Sequence, residues 1–296
     1  MTHQRRAVVF ALLAVFLWST VATAFKLSLV YLSPVELLLY STLFSTLVLG
    51  AILFWKKKFK QIFHCSQKEY LLSILLGFLS PFLYYLILFK AYDLLPAQQA
   101  QPINYTWAIT LSLLSVPLLK HKIIWQQWVA LIISYIGVVI ISTEGKPFDL
   151  EFTNSLGVFL ALASTVVWSL YWIYNTRDKR DPVVGLFLNF VFSIPFIISY
   201  YILTEEVRIV PINGIIGAAY VGLFEMGICF VIWLMAMKLT DNTTKISNLI
   251  FLSPFLSLVF IHFILGEHIV AGTFIGLMLI IMGLVIQQIP FSRRKK

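Results

Sequence analysis

Glu225 is an acidic residue set in the middle of an apolar run. It lies 14 residues after Pro211 and 13 before Lys238. A helix rising about 1.5 Å per residue therefore carries it roughly 20 Å from either end. A charge at that depth in an apolar layer costs ~2.5–3.5 kcal/mol on insertion scales, so the side chain must face a cavity or a partner. Its type allows two chemistries, exchange of a proton or capture of an amine. The plainer reading is a neutral Glu hydrogen-bonded to a neighbouring helix. Gly222 and Gly227 flank it and let backbone groups loosen at that depth.

Three tryptophans, Trp18, Trp107 and Trp168, sit inside apolar segments beside small or polar neighbours, and Tyr84, Tyr105 and Trp233 share their depth. Ring faces of this kind suit a flat apolar solute or a cation; for any one ring, core packing explains it equally well. Gln98, Gln99, Gln101 and Asn104 open a further segment. Lipid-facing helices do not carry such a run, so these side chains line water or meet matched hydrogen-bond partners. Pro102 removes one backbone bond and kinks the helix. The stretch Thr243–Asn248, followed by Pro254, is a second polar entry at a matching place. Asn248 and Ser80, the latter followed by Pro81, are the remaining polar candidates, and the two kinked entries point to a shared vestibule.

Other constellations are weaker. His262, Glu267 and His268 come nearest to a metal cluster, but the histidines are six residues apart on different helical faces; no metal or cofactor is expected. Neither an HExxH motif nor a Gly-rich phosphate loop occurs, which argues against an enzyme. Lys26, Glu36, Lys90 and Asp93 gather at the ends of the first three segments. A charged gate is one reading, snorkelling ends the other. Cys65 and Cys229 fall in a loop and a segment that do not meet, with no disulfide or zinc spacing.

Ten apolar segments position these residues: 7–27, 35–55, 70–91, 97–119, 124–142, 156–175, 183–203, 212–237, 244–265 and 269–289. The chain is 60% hydrophobic and 12% charged, whereas a soluble protein carries about 25% charged residues. About 20 residues span a bilayer, so ten spans leave no room for a soluble domain. Numbering the gaps alternately puts 18 of the 22 Lys and Arg on one side and only Lys26, Lys90, Lys146 and Arg208 on the other. That bias places both termini in the cytoplasm. The net charge of +9 then belongs to short cytoplasmic loops facing anionic lipid, not to nucleic acid. An N-terminal signal peptide is rejected because the first segment has a counterpart in the second half.

The halves resemble each other. Trp18-Ser19 matches Trp168-Ser169, the run from Gly77 aligns with the run from Gly222, and Gly137 matches Gly283. The expected organisation is repeat one over 1–145, repeat two over 150–290 and a basic tail over 291–296. Five helices per repeat is an odd number, so the second copy enters the membrane inverted, with a substrate site near the midplane. The fold class is an all-α membrane protein of ten transmembrane helices in two inverted five-helix repeats. Lys120-His121-Lys122 and Gly266-Glu267-His268 occupy the same repeat position, with the cations lost where the loop changes sides.

These segments, the paired Trp-Ser and Ser253-Pro254…Gly266-Glu267…Gly276…Gly283 resemble the drug/metabolite transporter superfamily, specifically its EamA-type members. Asn104-Tyr105-Thr106-Trp107 is similar to the Asn-Tyr-x-Trp stretch of the aromatic amino-acid exporters in that superfamily, although Ala108 stands where a Pro usually follows. The first repeat also departs from the family pattern, with Lys120-His121 where a Glu is expected. The resemblance implies a cavity lined by Trp18, Tyr84, Tyr105, Trp107 and Trp168. It implies a secondary transporter that exports a small metabolite, an amino acid or a relative, by alternating access, with Glu225 as the coupling residue and the proton as candidate ion. The alternative, an antiporter of phosphorylated sugars or nucleotides, needs cations at cavity depth, and Lys26 and Lys90 lie too near the edge. A membrane-embedded enzyme needs more than one Glu. Two repeats make a monomer complete, and the expected location is a bacterial plasma membrane.

Overall fold

The computed structural model describes residues 3–119, 125–148, 152–175, 178–240, 246 and 248–288. Lys120 to Lys122, Arg177, Lys245 and the basic tail, which entered the charge count above, lie outside the described residues. Within them the protein is helical, with no strand. Helices α1 (His3–Ser19) and α2 (Val21–Leu29) join at Thr20 into one rod, followed by α3 (Pro34–Trp55). Next come α4 (Gln67–Gly77), a π-helical segment Phe78–Leu83 and α5 (Tyr84–Leu94). The first half continues with α6 (Ala97–Asn104), α7 (Trp107–Leu119) and α8 (Trp125–Ser142). The second half has α9 (Ser155–Asn175), α10 (Pro182–Thr204), α11 (Ile212–Tyr220), a second π-helical segment Val221–Ile228 and α12 (Cys229–Leu239). A 3-10 turn Asn248–Leu252 leads into α13 (Ser253–Leu265), and α14 (Ala271–Gln288) follows.

Local chemistry sets the boundaries. Ser33 and Glu36 form a capping box ahead of α3, with Pro34 in its first turn. Ser66 and Glu69 do the same for α4. Asp181 caps α10 by accepting from the Val183 amide. Gly266, at φ 70°, closes α13 in the left-handed conformation. Inside the rods the interruptions are as informative. Ser80 takes extended dihedrals, φ −152° and ψ 125°, ahead of Pro81. The stretch 97–119, marked as one span by its hydropathy, is two helices parted at Tyr105-Thr106. Pro102 cannot donate to the ladder, and the chain turns just after it.

Seven helices among the described residues are long and apolar enough to cross a membrane: His3–Leu29, Pro34–Trp55, Gln67–Leu94, Trp125–Ser142, Ser155–Asn175, Pro182–Thr204 and Ile212–Met237. Leu249–Leu265 and Ala271–Ile286 are shorter apolar helices. Leu47, Ile132, Phe159 and Phe274 are more than half exposed along these rods. Large apolar surfaces of this kind suit lipid and not water.

Packing follows pairs. α8 lies along α14 on a seam where Gly137 and Gly276 face each other and Gly283 sits against Ser134 and Ala130. Where lipid removes the hydrophobic drive, such small residues let backbones approach closely enough to associate. Elsewhere α1 packs on α12 and α5 on α9; α7 meets α9 and α13 meets α1. The segment Val221–Ile228 rests on α3, and Phe78–Leu83 rests on α10. A side chain at Gly222 would strike the Ser41 carbonyl of α3, and one at Gly77 would strike the Asn189 carbonyl of α10. The two glycines aligned by sequence make equivalent close approaches.

Candidate substrate site

The π-helical segment Val221–Ile228 aims Glu225. In a π turn, residues five apart share a face, and Gly222 and Gly227 both lie against α3. Glu225 therefore points away from α3, toward α5. There the Tyr85 hydroxyl donates to its Oε1 at 3.1 Å. None of the ion pairs among the described residues includes Glu225. As a whole residue Glu225 is half-buried, and it stands mid-helix inside the bundle.

Around it runs a connected set of rings. Trp168 stacks on Tyr84 at 4.5 Å and 25° and on Tyr171 at 5.3 Å and 14°. Trp107 and Trp172 meet Trp168 edge-on at 6.5 and 5.7 Å. Phe230 touches both repeat-related tryptophans, Trp168 at 6.2 Å and Trp18 at 6.0 Å, and Trp18 also meets Trp233 at 5.4 Å. Tyr84 sits against Tyr85 at 4.8 Å, which closes the path back to Glu225. Most of the unstacked contacts have the edge geometry that aromatic quadrupoles favour, and Trp18–Trp233 is tilted at 56°.

Polar side chains hold the set in place. The Tyr84 hydroxyl donates to Asn104 Oδ1 at 3.3 Å, and Asn104 Nδ2 donates to Ser164 Oγ at 2.9 Å. Ser169, the Ser of the second Trp-Ser pair, donates to the Trp107 carbonyl at 3.0 Å. That bond locks α9 to the break between α6 and α7. Trp18, Trp107, Phe230 and Asn104 keep part of their surface accessible, while Tyr84, Trp168 and Tyr171 are buried. The arrangement is a rigid aromatic wall with one carboxyl group on its edge.

The structure thus brings together Trp18, Tyr84, Asn104, Trp107, Trp168 and Glu225. Tyr105 lies at the α6–α7 break and makes no ring contact with the group among the described residues. Ser80 is buried in the break of the α4–α5 rod, which packs on α10. The side chain of Asn248 lies outside the described residues. Tyr85, Tyr171, Trp172 and Phe230 were missed from sequence. Two of them were legible, because Tyr85 and Phe230 occupy the same position in the aligned runs from Gly77 and Gly222.

The glutamine run is packed, not open. Gln98 and Gln99 are 7% and 1% exposed. Gln98 bonds the His268 carbonyl, the Val270 amide and Thr273; Gln99 donates to Glu144 and Thr153. Gln98 has both amide atoms bonded, as the second of the two sequence readings expects, whereas the Oε1 atoms of Gln99 and Gln101 are buried without a partner. Glu267 accepts from the amides of Ala97 and Gln98 at 2.9 and 3.1 Å, so it caps α6. Lys26 donates to the carbonyls of Tyr92 and Leu95 at the end of α5, and Lys90 pairs with Asp93 at 2.6 Å. Beside this site, a lateral groove of about 550 Å³ opens between α2, α11 and α13, floored by the Thr20–Tyr220 hydroxyl bond at 2.6 Å.

A profile of the EamA-like transporter family matches this chain twice, over residues 5–143 and 155–287. A protein of Clostridium kluyveri described as an uncharacterized transporter is 30% identical over 187 residues, which is 60% of this chain and 58% of that relative's length. An uncharacterized transporter of Archaeoglobus fulgidus is 24% identical across 95% of this chain and 98% of its own. A chain solved by crystallography superposes with a TM-score of 0.65 at 22% identity, covering 95% of this chain and 96% of that one; that likeness concerns the fold alone. With the family profile spanning both halves, the chain belongs to the EamA-like transporter family and is a multi-pass membrane transporter.

Proposed function

We propose that this protein is a secondary transporter that exports a small metabolite, an amino acid or a related compound, by alternating access across a bacterial plasma membrane. Its two halves are inverted repeats of five transmembrane helices, both termini are cytoplasmic, and they rock about the aromatic wall beside Glu225. The observation that carries the reading is the doubled one. The family profile matches each half, and both halves carry a π-helical segment at aligned positions with aligned glycines in equivalent close contacts. Exchanging the halves also exchanges the packing pairs, α1 on α12 for α9 on α5 and α13 on α1 for α7 on α9.

Glu225 is the coupling residue in this account and the proton its ion. A carboxyl group inside the bundle can alternate between a neutral and a charged form as the cavity opens to one side or the other. The monomer is the working unit. Exposed Trp55 and Phe63 beside Lys56, Lys57 and Lys60 suit an inner leaflet carrying anionic lipid. Flux of labelled solutes in proteoliposomes, with and without a pH gradient, tests the reading. Wild type moves at least one amino acid or amine, and Trp107→Ala and Trp168→Ala reduce its affinity or rate. Unchanged flux in both variants counts against substrate contact.

A further inference from the structure

The lateral groove lies apart from the aromatic wall and has a shape of its own. α2 packs on both α11 and α13, and the opening of about 550 Å³ runs between the three helices. Along α2 its lining extends from Thr20 to Tyr31, a length of about 16 Å at helical rise. Half the hydrocarbon thickness of a bilayer is about 15 Å, so the groove spans one leaflet. Leu27, Ile216 and Ile264 form its lips, and each is about half exposed. Below the mouth, its polar groups ask nothing of an occupant. Thr20 bonds the Leu17 carbonyl and Tyr220, and Ser28 donates to the Ala24 carbonyl. Thr23 Oγ1 has no partner, but it is buried. An alkyl chain fits such a shaft better than a polar solute does.

The mouth is different. Asn213 stands exposed in the first turn of α11 and makes no hydrogen bond among the described residues. That helix starts after Pro211 with no side-chain cap, which leaves the amides of its first turn and the positive end of its dipole for an outside acceptor. Arg208 is held at the same rim by its bond to the Tyr31 carbonyl at 3.0 Å. It also pairs with Glu36, and Glu205 lies within its electrostatic reach. The rim therefore offers donors for a phosphate and, beside them, an acidic group for an ammonium. From the one-leaflet length, the apolar shaft and this mixed rim we infer that the groove seats one acyl chain of a zwitterionic phospholipid with a primary amine in its headgroup. Its phosphate rests at the start of α11 with Asn213 and Arg208, and its ammonium faces Glu205. The inference concerns a lipid and stands whether or not the aromatic wall binds a solute.

Full-length protein is stripped of lipid in detergent and titrated with dioleoylphosphatidylethanolamine, dioleoylphosphatidylglycerol and dioleoylglycerol, which share their chains and differ at the head. Native mass spectrometry reads the affinity of the first lipid bound, and thermal shift reads the same binding in solution. The ethanolamine lipid binds tightest. Phosphatidylglycerol is about threefold weaker or more, the worth of an exposed charge contact, and dioleoylglycerol, with no phosphate, about tenfold weaker or more. Ala24→Phe fills the shaft and Ile216→Trp crosses its lip. Each weakens the first lipid about tenfold or more, as the loss of about two buried methylene groups does. Asn213→Asp weakens both phospholipids and leaves dioleoylglycerol unchanged. Leu47→Phe, at an exposed site on α3, leaves all three unchanged. Dioleoylglycerol or phosphatidylglycerol binding as tightly as the ethanolamine lipid overturns the inference. Unchanged affinity in a folded groove variant or in Asn213→Asp does so too, as does an equal loss in Leu47→Phe.

Discussion

The α8–α14 seam makes a quantitative demand on two glycines. A Cβ at Gly276 would lie 2.5 Å from the Gly137 carbonyl oxygen and 2.5 Å from Ile141 Cγ1, and ordinary contacts begin at 3.4 Å. The helices must part by about 0.9 Å, a gap that forfeits a quarter to a half of each dispersion contact along the seam. Overpacking of this kind costs about 1–3 kcal/mol. Replacing a mid-helix glycine by alanine returns up to about 0.8–1.0 kcal/mol of propensity, so Gly276→Ala sits between near zero and about 2 kcal/mol of net loss. Gly276→Val adds two further methyl groups to the same closed space and loses stability outright, by about 2–3 kcal/mol. Gly137 faces the same gap from the other side, at 2.5 Å from the Gly276 carbonyl. Once the first side chain has separated the helices, the second enters an open space. The double variant Gly137→Ala/Gly276→Ala therefore loses less than the sum of the singles, by about 0.5 kcal/mol or more. Thermal unfolding in a mild detergent, followed by loss of the monodisperse peak, measures each value. A Gly276→Val protein as stable as wild type, or strictly additive alanine variants, would refute the close-packed seam.

Other expectations follow from single contacts. Trp168→Ala removes rings stacked on both sides and costs about 3–5 kcal/mol, seen as a lower melting temperature. Arg208→Ala strips the guanidinium from Glu36, whose side chain is fully buried. The variant melts below wild type, and Glu36→Gln in the same background recovers part of the loss. Burial pushes the Asp181 carboxyl up, but its bonds to Lys58 and to the Val183 amide outweigh this and hold it below its ordinary value. A carboxyl lowered by folding stabilises the protein above its unfolded value and stops doing so as pH falls through the folded one. Wild type should thus lose melting temperature on acidification from about pH 5 more steeply than Asp181→Asn.

Apolar length and charge bias were enough to expose the helical membrane character, because both are written residue by residue. The breaks were harder. Ser80-Pro81 announces a loosened helix, and Glu225 with its two glycines announces another, yet the π register that turns Glu225 toward Tyr85 depends on α3 being close enough to exclude a side chain at Gly222. That is a tertiary fact. Tyr84 and Tyr85 are adjacent and chemically alike, and only the phase after the Ser80 break decides that Tyr84 stacks on Trp168 and Tyr85 reaches the carboxyl. The glutamines were ambiguous for a related reason. Their polarity fits a wet cavity as well as a packed junction, and the partners Glu144, Thr153, Val270 and Thr273 are distant in sequence. Glu267 looked like a boundary residue beside two histidines, and its real task is to cap a helix 170 residues away.

The most direct test of the account is solute flux in proteoliposomes under an imposed pH gradient, comparing wild type with Glu225→Gln over a labelled panel of amino acids and fixed-charge amines. The account predicts that wild type accumulates at least one of them when the gradient is applied, and that Glu225→Gln, folded and equally reconstituted, no longer responds to the gradient. A Gln variant that transports normally and keeps its pH response would contradict it.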